Sequence, residues 1–295
     1  MKHTRAVSSL IFAGTMLIFG TIGLFRRQIP LSSALLAFCR GLMGSLILLP
    51  IARLRGVKLF GGLDRRTLLL LILSGGIIGL NWMLLFEAYN HTTVAVATLC
   101  YYMQPTMVTL LSPLLFHERL TRRRLLCAVA AVAGMVFVSG VMDGDAGGDV
   151  TGILLGLGAA ALYASVIILN KLAPDGDAYS RTIVQLGAAA VCMIPYLLLT
   201  HEDLPAVFAS LDPRGMLMLL IVGIVHTGLA YALYFGSMQG LKAQSVAVLS
   251  YIDPVSALIL SALLLGERMT VFGLLGAVLI VGSALVSELS PASET

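Results

Sequence analysis

The chain consists of long apolar runs separated by short segments that carry most of its charges. Each run approaches the roughly 20 residues that an α-helix needs to cross a hydrocarbon core about 30 Å thick. Hydrophobic residues make up 58% of the 295 residues and charged residues only 12%, which leaves too few charges to cover soluble domains of this length. The sequence therefore predicts a polytopic membrane protein and argues against a soluble enzyme, a nucleic-acid-binding protein and a disordered chain.

Ten of the apolar runs are predicted to cross the membrane, so the expected fold class is all-α integral membrane. The predicted spans are residues 6–25, 29–52, 67–86, 92–116, 125–142, 150–170, 182–200, 215–238, 243–266 and 269–287. Most of the 19 Lys and Arg residues fall in the segments that would lie on the same side as both termini. Because Lys and Arg concentrate on the cytoplasmic side, both termini are predicted to be cytoplasmic.

An internal repeat divides the chain into two halves, residues 1–145 and 146–295. Residues 79–132 resemble residues 228–281. The informative matches pair Tyr102 with Tyr251, Pro105 with Pro254, Glu118 with Glu267, Arg119 with Arg268 and Thr121 with Thr270. Because each half would hold five spans, the second would enter the membrane upside down. Inverted repeats are typical of secondary transporters with a substrate site near the midplane, although a duplication that now serves only stability is the alternative.

The repeated motif resembles that of a known family. A Pro, twelve further residues and then Glu-Arg-x-Thr occur in residues 105–121 and again in residues 254–270. Ten spans in two such halves resemble the EamA-like proteins of the drug/metabolite transporter superfamily. The resemblance implies alternating access and export of small metabolites such as amino acids across a bacterial inner (plasma) membrane. It also covers Arg40, which is similar to an Arg in the second span of such proteins. At the position before the motif Glu, Gly266 matches the family pattern and His117 does not.

Asp253 is the sharpest candidate for chemistry, because it lies next to Pro254 near the middle of the ninth predicted span. A charged residue at that depth costs about 2.5–3.5 kcal/mol on insertion scales. Pro254 lacks an N–H and disrupts the helix locally, which frees backbone carbonyls. The functional interpretations are proton coupling or binding of a cationic group. The alternatives are a structural ion pair or a protonated carboxyl bonded to Ser250 or Ser256.

Two further ionisable residues are predicted within spans. His226, in the eighth, is a candidate proton carrier because imidazole titrates near neutral pH, and it would lie at a depth similar to that of Asp253. A neutral His226 bonded to a neighbouring helix is the alternative. Arg40, in the second span, can bind a substrate carboxylate through two hydrogen bonds. It can equally pair with a helix C-terminus or extend its charge towards the interface.

The other candidate substrate-binding residues are polar or aromatic and belong to the repeated region or to the eighth span. They are Trp82, Tyr101, Tyr102, Gln104, Tyr231, Tyr234 and Tyr251. Aromatic walls hold amphipathic or cationic solutes, and interhelical packing and hydrogen bonding are the alternatives. A structural role in the turns is expected for the remaining motif residues, which are Pro105, Glu118, Arg119, Pro254, Glu267 and Arg268.

No cofactor or metal site is expected. The 4 cysteines lie in apolar runs without a CxxC spacing. The acidic loop that begins at Asp143 has Leu154 at the twelfth position, where a calcium loop needs a Glu. The chain has no GxxxxGK[ST] and is not predicted to be an enzyme. The expected partners are a small-molecule substrate and the lipid bilayer, with no nucleic acid and no soluble domain, as a monomer or a dimer. Alternatives to metabolite export are multidrug or cation efflux, uptake by the same fold, and a channel or lipid scramblase.

Overall fold

A computed structural model describes residues 2–59, 61–116, 120–140, 150–173, 176–201, 203–238 and 240–289, which are helical apart from short turns. Glu118, Arg119 and the acidic loop 143–149 lie outside the described residues. In the N-terminal half the helices are α1 (Lys2–Gly20), α2 (Ile22–Arg26), α3 (Ser33–Leu54), α4 (Arg65–His91), α5 (Val94–Tyr101), α6 (Gln104–Phe116) and α7 (Arg122–Val138).

The C-terminal half contains α-helices and one π-helical segment. These are α8 (Val150–Leu172), α9 (Ala178–Leu199), α10 (Leu204–Ala209), α11 (Pro213–Leu220), the π segment (Ile221–Leu229), α12 (Ala230–Met238), α13 (Ala243–Ser250), α14 (Ile252–Leu264) and α15 (Val271–Glu288). The π segment joins α11 to α12 without a break, so these three elements form one long helix.

Seven helices of the described residues are long and apolar enough to cross a membrane. They are Ala6–Arg26, Ser33–Leu54, Arg65–His91, Val94–Leu115, Val150–Leu172, Ala178–Leu199 and Pro213–Met238. Helix is present at the other three predicted positions but in shorter pieces. The helix α7 has 17 residues and begins with three arginines, and the apolar stretches at the last two positions are Val248–Leu264 and Val271–Ser287.

Side-chain caps fix the starts of several helices. Thr121 accepts a hydrogen bond of 3.3 Å from the N–H of Arg124, and Thr270 accepts one of 3.0 Å from Gly273. Both threonines are therefore N-caps. Asp64 begins α4 in the same way, since its Oδ1 accepts a hydrogen bond of 2.7 Å from the N–H of Thr67.

The helices before the two motif prolines end where those prolines require it. Pro105 has no N–H for the carbonyl of Tyr101, four residues earlier, and α5 ends at Tyr101. Pro254 stands in the same relation to Ser250, where α13 ends. The breaks in the fourth and ninth predicted spans therefore lie at equivalent points of the repeat.

Close backbone contacts pack α4 and α3 against α9. A Cβ added at Gly79 would lie 2.7 Å from the carbonyl oxygen of Ala189, and one added at Gly41 would lie 2.8 Å from that of Leu186. Small residues at such contacts let membrane helices approach closely. Gly156 contacts Cys100 of α5 in the same way, so this glycine packs within the chain.

Candidate functional site

A cavity of about 970 Å³ lies between helices of the two halves. This volume is at the upper end of the range found for small-molecule sites. Nine of the predicted substrate-binding residues line it, namely Arg40, Trp82, Tyr101, Tyr102, Gln104, Tyr231, Tyr234, Tyr251 and Asp253. His226, the tenth, is not among the residues that line the cavity.

The carboxyl group of Asp253 is held by a tyrosine from the other half of the chain. The hydroxyl of Tyr102 donates a hydrogen bond of 2.7 Å to its Oδ2. Among the described residues, no Lys, Arg or His nitrogen lies within 4.0 Å of the carboxyl group. Ser256 bonds the backbone oxygen of Asp253 at 2.9 Å rather than its side chain. The structure therefore shows a tyrosine partner in place of the ion pair or serine bond considered from the sequence.

The Arg40 guanidinium is buried and held on two sides. Its Nε donates a hydrogen bond of 2.9 Å to Oγ1 of Thr227, and its central carbon lies 4.0 Å from the centroid of the Trp82 ring. Stacking on an indole stabilises a cation. The Thr227 hydroxyl in turn donates to the carbonyl of Val222, five residues earlier in the π segment. Arg40 therefore neither pairs with a helix C-terminus nor extends to the interface, but forms part of the cavity wall.

Aromatic rings form much of the remaining wall. The Tyr101 and Tyr163 rings lie 5.6 Å apart, and the Phe19 and Tyr231 rings lie 5.5 Å apart. The equivalent tyrosines of the repeat, Tyr102 and Tyr251, face each other at 6.5 Å. Sequence reasoning missed Tyr163 and Phe19, although each is the sole aromatic residue among its apolar neighbours for several positions.

A polar cluster beside the cavity was also missed. Nε2 of Gln185 donates to Oγ of Ser74 at 2.7 Å and to Oδ1 of Asn170 at 2.8 Å. Gln185 and Asn170 both line the cavity. Amide side chains within or beside apolar runs are the signal that could have identified them, because they are costly in a bilayer unless they meet a partner or a cavity.

Two other candidates are buried in different surroundings. His226 is 2% exposed, with Nε2 at 2.8 Å from Oγ1 of Thr21 and its ring 4.7 Å from that of Phe25. Among the described residues, neither a hydrogen bond nor an ion pair joins His226 to Asp253. Gln104 lines the cavity, and its Oε1 has no hydrogen-bond partner within the described part of the chain.

Glu267 of the repeated motif links the two halves at one end of the molecule. Its carboxylate lies 3.2 Å from Nη2 of Arg27 and accepts hydrogen bonds from the N–H groups of Val94 and Ala95 at 3.1 and 3.4 Å. A carboxylate is stabilised at the first turn of a helix, here α5. Arg268 is exposed. Pro105 lines the cavity, whereas Pro254 is buried and does not.

Known proteins resemble the chain along most of its length. A transporter of Bacillus subtilis (strain 168), YxxF, whose own role is uncharacterized, is 28% identical over 96% of this chain and 89% of its own. A probable amino-acid metabolite efflux pump of Salmonella typhimurium is 28% identical over 60% of this chain and 61% of its own. A solved crystal structure matches the fold with a TM-score of 0.64 at 21% identity, covering 96% of each chain.

The family itself is shown by two matches within the one chain. The model of the EamA-like transporter family matches residues 6–140 and again residues 150–288. Together these matches leave out little more than the termini and the segment between the halves. The protein is therefore a multi-pass membrane protein that belongs to the EamA-like transporter family of the drug/metabolite transporter superfamily.

Proposed function

We propose that the protein is a secondary transporter that exports small amphipathic metabolites such as amino acids across the inner membrane by alternating access. The observation that carries this proposal is the cavity of about 970 Å³, whose wall combines tyrosine rings with one carboxyl and one guanidinium group. Such a wall suits solutes that have both apolar and charged parts. The Salmonella typhimurium relative, a probable amino-acid metabolite efflux pump, supports both the direction and the substrate class.

The proposed architecture is ten transmembrane helices in two inverted halves, residues 1–145 and 146–295, with both termini in the cytoplasm. The two family matches fall one in each half. The equivalent helix breaks before Pro105 and Pro254 also support a repeat. In this arrangement the helices α7, α13–α14 and α15 are the spans that complete the seven longer ones.

In the proposed cycle, the structure corresponds to the state that is closed on the outside. Arg27 and Glu267 come from opposite halves and meet at an end predicted to be extracellular. At the other end the cavity wall includes Asn170 and Leu241, which precede the predicted cytoplasmic residues Lys171 and Lys242. A substrate would therefore enter from the cytoplasm and leave after the contacts around Glu267 separate.

Asp253 is proposed to couple this cycle to protons. Its carboxylate can hold a proton or the cationic group of a substrate, but not both at once. A proton arriving from outside would displace the substrate outward, and its release to the cytoplasm would restore the carboxylate. The absence of a cation within 4.0 Å among the described residues leaves the carboxyl group available for this exchange.

Extracellular metabolite profiles of overexpressing cells test the proposal. Cells with the wild type should accumulate at least one class of metabolite outside, and cells with Asp253→Asn should not. The comparison requires equal abundance of the two proteins in the membrane. We expect equal abundance because Asn has nearly the same shape as Asp. Profiles from the wild type that equal those of a vector control would contradict export.

A further inference from the structure

A guanidinium and a carboxyl group face the same cavity without pairing with each other. Arg40 and Asp253 both line the cavity, and no N···O contact within 4.0 Å joins them. Two buried charges of opposite sign usually pair, because each one alone pays a desolvation penalty. A ligand that lies between the two groups can therefore compensate both charges.

Each of the two groups has atoms whose hydrogen-bonding capacity is unused within the described residues. Arg40 uses Nε on Thr227, and its two terminal nitrogens have no hydrogen-bond partner among the residues that the structure describes. Asp253 accepts from Tyr102 at Oδ2, and its Oδ1 has no hydrogen-bond partner within that same part of the chain. The hydrogen bonds with Thr227 and Tyr102 thus orient the two groups. The terminal nitrogens of Arg40 and Oδ1 of Asp253 are left for a ligand.

We propose that the cavity binds a compact zwitterion, an amino acid or a close analogue, between Arg40 and Asp253. The carboxylate of the ligand takes the two terminal nitrogens of Arg40 in a bidentate pair. Its ammonium group takes Oδ1 of Asp253. This inference rests on the proposed transport function, and it narrows the broader class of amphipathic metabolites to ligands that carry both charges.

The charges of the site select against ligands with only one charge. A cation such as an amino-acid amide would satisfy Asp253 and leave the Arg40 guanidinium without a carboxylate. A deaminated acid would satisfy Arg40 and leave Asp253 without a cation. Leaving one member of a buried charged set unpaired is more costly than the pair is worth, so the zwitterion should bind best.

The rest of the ligand would lie against aromatic rings. Tyr101, Tyr163, Tyr231 and Phe19 all line the cavity, and none of them carries a formal charge at neutral pH. This surface favours an apolar side chain over a charged one. The indole of Trp82 stacks under the Arg40 guanidinium at 4.0 Å, so it lies next to the expected position of the ligand carboxylate.

Trp82 also provides the readout, because it is the only tryptophan in the chain. The purified full-length protein in lipid nanodiscs is titrated with L-leucine, L-valine and L-methionine, which do not absorb in the tryptophan band. Each is compared with its amide and with its deaminated acid. We expect at least one amino acid to change Trp82 fluorescence saturably, and its two derivatives to bind at least tenfold more weakly.

Charge-removing variants then assign each charge of the ligand to a residue, with binding measured by calorimetry so that changes around Trp82 do not interfere. Arg40→Gln should lose the preference for the amino acid over its amide. Asp253→Asn should lose the preference for the amino acid over its deaminated acid. Retained binding of the amide by Arg40→Gln, and of the deaminated acid by Asp253→Asn, shows that each variant is folded. Arg53→Gln, at an exposed position, and Asp64→Asn, where Asn also caps a helix, are matched controls that should keep both preferences.

The outcomes separate this inference from the proposed function. Binding of an amide or a deaminated acid within twofold of the amino acid would overturn the zwitterion site. The zwitterion site would also be overturned if cells exported a metabolite class but no amino acid bound the purified protein. In that case the transport proposal would stand. Selective amino-acid binding without any gradient-driven flux would support the site and contradict the transport proposal.

Discussion

The hydroxyl of Tyr102 donates a hydrogen bond of 2.7 Å to Oδ2 of Asp253, and this bond joins the break after α5 to the first turn of α14. The donor and the acceptor come from different halves of the chain. Their positions are set by the two motif prolines, which end the preceding helices. The contact therefore connects the repeated backbone feature to the carboxyl group that we propose as the coupling residue.

Replacing Tyr102 by Phe should impair transport without unfolding the protein. The ring keeps its packing against Tyr101 at 6.0 Å and Tyr251 at 6.5 Å, but Asp253 loses its donor. A hydrogen bond to a charged group is worth about 1.5–3 kcal/mol, so we expect amino-acid flux into proteoliposomes to fall about tenfold or more. Tyr196→Phe, on an exposed face of α9, is the control and should transport normally.

Replacing Thr227 by Val should weaken substrate binding through Arg40. Thr227 does not line the cavity, but its hydroxyl accepts from Nε of Arg40 at 2.9 Å. Without that acceptor the guanidinium is less firmly oriented, and we expect the apparent affinity for substrate to fall about tenfold in equilibrium binding. Thr227→Ser keeps the oxygen and should restore most of the affinity. Equal loss in both variants would point to packing rather than to orientation of Arg40.

Glu267 should protect the first amides of α5 from hydrogen exchange. Its carboxylate accepts from the N–H groups of Val94 and Ala95 and also contacts Arg27. In Glu267→Ala we expect exchange at these two amides to be about tenfold faster, as measured by mass spectrometry. Arg268→Gln, at the exposed neighbouring position, should leave the exchange unchanged. Protection that survives in Glu267→Ala would show that this end is not held closed by the carboxylate.

Two Gly→Ala changes should alter stability in opposite directions. A Cβ at Gly79 would lie 2.7 Å from the carbonyl oxygen of Ala189, so Gly79→Ala must separate α4 from α9. Overpacking of this kind typically costs about 1–3 kcal/mol. A Cβ at Gly187 meets nothing within 4 Å, so Gly187→Ala should gain the higher helix propensity of Ala, about 1 kcal/mol. Thermal unfolding in detergent measures both, and equal shifts would contradict the packing.

The sequence was sufficient to predict two helix breaks and most of the polar and aromatic residues that line the cavity. Pro105 and Pro254 predict local breaks because proline lacks an N–H, and both breaks are present. Nine of the ten predicted substrate-binding residues line the cavity. Arg40 and Asp253 were identifiable because a charge within an apolar span is costly unless it meets a partner or a cavity.

Other parts of the site depend on helix geometry that the sequence pattern does not indicate. Thr227, Tyr231 and Tyr234 are spaced by four and three positions, which would place them on one face of a regular α-helix. Thr227 lies in the π segment, whose wider turns rotate the side chains relative to those of α12. Tyr231 and Tyr234 therefore reach the cavity, whereas Thr227 lies behind Arg40.

His226 illustrates a different limit. His226 lies within an apolar helix, as the sequence predicts. Its position along the helix does not indicate which neighbouring residue its side chain contacts. The structure places it against Thr21 and Phe25, which come from the opposite end of the sequence. Tyr163 and Gln185 were missed for the same reason, since an apolar span has no polar face to indicate which side meets the cavity.

The central claim is that Asp253 couples solute movement to a proton gradient. The most direct test loads proteoliposomes with a labelled amino acid that binds the protein, imposes a pH gradient, and compares net flux and exchange in the wild type and in Asp253→Asn. The account predicts gradient-driven flux in the wild type, and exchange without driven flux in the variant. Driven flux at the full rate in Asp253→Asn would contradict it.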